Sequence, residues 1–108
     1  MAGGRGFMEM IGCDFVTGAT GVATYARNIT TVRGAAGQIT HTWGEACDPL
    51  ELFPQVALAT TQCTFGVQIV DDNNILVNTR EGKPDAVGAA DKDCDHYFAV
   101  WHIAFGNF

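Results

Sequence analysis

Three histidines and four cysteines are the residues of this 108-residue chain best equipped for chemistry. Cys94 and His96 alternate on an extended chain and so share a face, and thiolate and imidazole both suit zinc. His41 and His102 would have to complete such a site. His102 falls on the strand face opposite Trp101, and nothing in the spacing fixes where His41 lies. Cys13, Cys47, Cys63 and Cys94 stand apart with no CxxC pair, so the zinc-ribbon pattern fails. The expectation is reduced, buried thiols and no metal, although an even count leaves three ways of forming two disulfides.

Two further runs imitate known sites. Phe15-Val-Thr-Gly-Ala-Thr-Gly21 looks like the phosphate loop of a dinucleotide-binding fold. That chemistry needs the loop to open a helix and an acidic residue about 20 positions on. Here Val22 to Val32 reads as strand, Thr24 replaces the third glycine, and no acidic residue lies between Asp14 and Glu45. A glycine-rich turn is expected instead. Asp91, Asp93 and Asp95 alternate like the start of a calcium loop, but His96 stands where glycine is required and His102 where glutamate is. The run is expected to be a solvated acidic loop. The chain has no serine, and nothing places a cysteine where its thiolate would be favoured, so no enzyme and no cofactor is expected. Asn28-Ile29-Thr30 matches a glycosylation sequon that matters only in a secreted protein.

The composition bounds the partners. Apolar residues make up 47% of the chain but charged ones only 17%, against roughly 25% in an ordinary soluble domain. A weakly charged surface tends to self-associate, which predicts an assembly. The net charge of −6 with six scattered Lys and Arg argues against nucleic acid or an anionic membrane as the partner. No leader-like apolar run opens the sequence, and no stretch is long enough for a membrane span, so the expectation is a protein made and kept in a cytosol, or released only inside a larger particle.

Strands must position all of these residues. Asp95 to Gly106 carries Tyr97, Ala99, Trp101, Ile103 and Phe105 on one face and Phe98, Val100, His102 and Ala104 on the other. Two apolar faces predict a strand covered on both sides, by a second sheet or by a neighbouring subunit. Phe7 to Val16, Val22 to Val32, Gln38 to Trp43, Gln55 to Ala59, and the hairpin of Cys63 to Ile69 with Ile75 to Thr79 read as further strands. Ile39, His41 and Trp43 share one face, and Cys63, Phe65, Val67 and Ile69 are expected to form a half-buried one. One helical turn is expected around Leu50–Phe53, stopped by Pro54. The sum is a single all-β domain over 7–108, an antiparallel sandwich or barrel of six to seven short strands. Residues 1–6 precede it as a flexible glycine-rich arm.

Gly18-Ala-Thr-Gly-Val-Ala-Thr24 with Asn28-Ile-Thr-Thr-Val-Arg-Gly-Ala35 resembles small all-β virion proteins of tailed bacteriophages. So does Phe65-Gly-Val-Gln-Ile69 followed by Tyr97-Phe-Ala-Val-Trp-His-Ile-Ala-Phe-Gly106, which is also similar to the H-type lectin fold. The first resemblance implies a head-decoration or cement protein that bridges capsid subunits. It would act as a homo-oligomer, a trimer foremost, bound to the major capsid protein or another virion protein, in a particle assembled in the host cytoplasm. The second implies a carbohydrate-binding module of a tail fibre. The residues expected at a subunit or capsid contact are Phe7, Met8, Phe98, Val100 and His102.

Overall fold

The computed structural model describes residues 4–82 and 89–107, with side chains for 7–82 and 89–103. The strands are β1 (Gly4–Val16), β2 (Ala23–Arg27), β3 (Thr30–Arg33), β4 (Gln38–Thr42), β5 (Leu52–Leu58), β6 (Cys63–Ile69), β7 (Asn74–Glu81) and β8 (His96–Asn107). They form two four-stranded antiparallel sheets, ordered β2-β1-β8-β5 and β3-β4-β7-β6. The expected sandwich is present, with eight strands rather than six or seven. The extra strand arises inside Val22–Val32. Asn28 turns into the left-handed region (φ 62) and hands the chain from the first sheet to the second. Asparagine tolerates that conformation better than most residues, and its Nδ2–H donates to Ile11 O at 2.8 Å.

The strand patterns say which faces meet. On β4, Ile39 and His41, with Trp43 just past its end, turn inward on the one face they are expected to share; on β7, Ile75, Val77 and Thr79 do the same. On the opposing sheet, β1 contributes Asp14 and Val16, and β8 contributes His96, Phe98 and Val100. The apolar core joins Ile29, Trp43, Leu52, Ile75, Val77, Phe98 and Val100. Each such side chain contributes about 1.5–3 kcal/mol relative to full exposure. Pro54 sits in β5, an edge strand, where a missing N–H costs no ladder bond. The helical turn is a short 3-10 segment, Pro49–Glu51, opened by the Asp48 side chain accepting from Leu50 N.

β6 departs from expectation. It lies at the edge of its sheet, and Phe65 and Val67 are exposed rather than half-buried, because the opposing sheet does not extend over them. The expectation of four reduced thiols is also overturned. Cys63 of β6 and Cys94, just before β8, form a disulfide between the two sheets, while Cys13 and Cys47 are free.

The first six residues are not all arm. β1 begins at Gly4 and pairs with β8 from Gly4↔Asn107 onward; residues 1–3 lie outside the described residues. The middle of the expected polar loop, residues 83–88, lies outside them too.

Candidate functional site

Three features could carry function: a polar chain inside the sandwich, a ribbon that extends beyond it, and a hollow on its outer face.

The polar chain uses Asp14, His41 and His96, which are 3%, 0% and 0% exposed. His41 Nδ1 lies 2.6 Å from Asp14 Oδ2, His41 Nε2 lies 2.9 Å from His96 Nε2, and His96 Nδ1 lies 3.2 Å from Cys94 O. The path therefore runs from one sheet to the other and back. Each contact needs one proton between its two heavy atoms. Asp14 and the Cys94 carbonyl accept, so the two imidazoles must donate to them, and a third proton lies between the two Nε2 atoms. Three protons on four ring nitrogens give the pair one positive charge, which balances the Asp14 carboxylate.

Burial pushes the His96 pKa below its usual value. His41 also stacks on Phe98, centroids 3.9 Å apart and planes 14° from parallel. All three side chains are shut off from solvent, forming a buried seam between the sheets.

The seam accounts for two of the candidate metal ligands, since His41 and His96 meet with their nitrogens turned on each other. Cys94 is not a thiolate but half of the disulfide, and His102 instead contacts Glu51 Oε2 at 2.8 Å. Among the described residues no group of three or more His, Cys, Asp or Glu is placed to hold a metal.

The acidic run is not freely solvated. Asp93 accepts from Arg33 Nη2 at 2.9 Å and Nε at 3.2 Å and from Gly37 N at 2.8 Å, and the Arg33 bond does most to hold its carboxyl below the usual range. Asp95 accepts from Gly18 N at 2.9 Å, and Asp91 pairs with Arg80 at 3.3 Å. These carboxylates clasp the loop to the sheets. The glycine-rich run Thr17–Gly21 is a turn leading into strand β2, closed by Gly21 N donating to Thr17 O at 2.8 Å. Gly18 packs on the Cys94 backbone so closely that a Cβ there would lie 2.5 Å from Cys94 N.

The ribbon comes from unequal strand lengths. β2 pairs β1 only over Cys13–Val16, and β5 pairs β8 only over His96–His102. Among the described residues, Gly4–Met8 and Ile103–Asn107 are therefore paired only with each other. Consecutive strand residues point to opposite faces. Phe7 is 41% exposed and its neighbour Met8 is 47% exposed. A two-stranded ribbon of this kind is marginal without packing against something else.

The hollow, about 560 Å³, lies over the outer face of β1, β5 and β8 and is lined by Phe15, Tyr25, Gln55, Ala57, Tyr97 and Ala99. Phe15 and Tyr97 pack at 4.4 Å between centroids, and Trp101 Nε1 donates to Gln55 Oε1 at 2.7 Å. Tyr25, Phe53 and Tyr97 are exposed on the same sheet.

The expected contact residues divide accordingly. Phe7 and Met8 are exposed on the ribbon, and His102 is half-buried against Glu51. Phe98 (2% exposed) and Val100 (0%) are core residues and are corrected as surface candidates, since the second sheet covers them. Of the two apolar faces of β8, one meets that sheet and the other, with Tyr97, stands open in the single chain. Sequence reasoning missed the Asp14–His41–His96 chain; the inward alternation of His41 with Ile39 and Trp43 was its one signal. Comparison with protein-family models, with curated proteins and with solved structures finds no match to this chain.

Proposed function

We propose that this protein is a non-enzymatic assembly protein whose terminal ribbon and outer sheet face dock on neighbouring subunits. The ribbon carries the reading: Met8 is 47% exposed on a two-stranded element whose backbone, among the described residues, pairs with no further strand. In specific form, the reading is a capsid decoration or cement protein of a phage particle, for which the resemblance of Gly18–Ala35 and Tyr97–Gly106 is the support. The disulfide suits a protein that works after leaving a reducing cytosol, as a surface protein of a released particle does. Light scattering on the purified chain should give an oligomer, and Phe7→Asp with Met8→Asp should reduce it to a monomer of unchanged circular dichroism. A wild-type monomer refutes self-assembly. Co-sedimentation with decoration-free capsid shells tests the specific form.

The hollow favours a second reading, a carbohydrate-binding module. Exposed Tyr25 and Tyr97 offer faces on which a sugar ring stacks, and Gln55 offers an amide beside them. A glycan array separates the readings, because a cement protein binds no sugar and a module would lose binding with Tyr97→Ala.

A further inference from the structure

We propose that the His41–His96 contact is an acid-sensitive lock between the two sheets, closed by a single shared proton and opened when the pair takes up another. Both Nε2 atoms lie 2.9 Å apart, a distance that accommodates one N–H donor and one lone pair. His96 Nδ1 is already occupied by the proton directed at Cys94 O, and His41 Nδ1 by the proton directed at Asp14. Among the ring nitrogens, a further proton therefore has only the Nε2–Nε2 contact to enter. It places two N–H groups head to head and two imidazolium rings side by side out of reach of water, with one carboxylate between them. The rings are held by different sheets, so they separate by moving the sheets apart.

The surroundings contain little that would relieve this. Asp14 of β1 engages His41 through Oδ2, its Oδ1 being buried without a partner, and Asp95, next to His96 in the chain, accepts from Gly18 N. The residues registered beside the rings in the neighbouring strands are Thr31 of β3, Ile75 of β7, Val16 of β1 and Leu58 of β5, none of which titrates. Burial is the largest cause of the lowered His96 pKa, and the charge of His41 adds to it. The Cys63–Cys94 disulfide, two residues from His96, still ties the sheets when the lock opens, which makes the opening reversible.

The sign follows from linkage. The folded pKa of His96 lies below the unfolded value of 6.5, so the unfolded chain binds the extra proton first. The His96 contribution to stability is intact above 6.5 and is lost as pH drops below it.

The test is urea unfolding of the whole chain between pH 7 and 5, in wild type, His96→Gln and His102→Gln. Glutamine at 96 can accept from His41 and donate to Cys94 O but does not titrate. Wild type should lose about tenfold in its folding equilibrium between pH 6 and 5, one proton's worth. His102→Gln should retain that loss and His96→Gln should abolish it. The chain has three histidines, so these variants apportion the response. Nitrogen NMR of the wild-type imidazoles at pH 7 reads the same lock even if the His96 variant does not fold. It should find three N–H groups on the four buried ring nitrogens. A flat wild-type profile, a loss that survives His96→Gln or vanishes in His102→Gln, or a count of two N–H groups overturns the proposal.

Discussion

Breaking the Cys63–Cys94 bridge is the perturbation whose size can be worked most directly. The two cysteines are 31 residues apart, and the bridge joins the exposed edge strand β6 to the segment that delivers His96 and Phe98 to the core. In the chain-entropy treatment, closing a loop of that length removes about 3.7 kcal/mol of freedom from the unfolded state at 25 °C. Stability for domains of this size is on the order of 5–15 kcal/mol, so the bridge accounts for a large share. The assay has two parts. Thiol titration of the unreduced protein in denaturant should find two free thiols, Cys13 and Cys47, and four after reduction. Urea unfolding with and without reductant should then differ by about 3–4 kcal/mol, a midpoint shift of roughly 1–3 M. Because Cys94 is buried, the reduced sample is prepared in denaturant and refolded. Four thiols before reduction, or coincident unfolding curves, would refute the bridge and with it the inference about compartment.

Other substitutions test separate parts of the fold. Val100→Asp places an unpaired carboxylate at a fully buried core site and should remove several kcal/mol, leaving an unfolded chain rather than a folded monomer; circular dichroism decides between them. Gly18→Ala forces a Cβ onto the Cys94 backbone and should cost about 1–3 kcal/mol by denaturant midpoint, whereas Gly66→Ala, with open space around it, should cost far less. Asp93→Asn removes the carboxylate that accepts from Arg33 and Gly37. Since the Asp93 pKa is lowered from 3.8, its stabilisation is present above that pH and lost as pH falls below it, so the variant should be less stable than wild type at neutral pH and converge with it in strong acid.

The chain by itself determined that this is a β protein, and where most strands run. Alternation on Gln38–Trp43 put Ile39, His41 and Trp43 on one face, and the turn residues around Asp71–Asn74 placed a hairpin that is present as β6 and β7. Three things were settled only by tertiary structure, each for a physical reason. Both faces of β8 are apolar, so periodicity could not say which one meets the second sheet; Phe98 and Val100 do, and Tyr97 does not. Four solitary cysteines carry no pairing information, because a disulfide depends on which strand ends the two sheets bring together. Asp14, His41 and His96 are remote along the chain and sit on three different strands, so their meeting exists only once the sheets pack face to face. Local pattern is a property of each strand alone. The seam belongs to the contact between sheets.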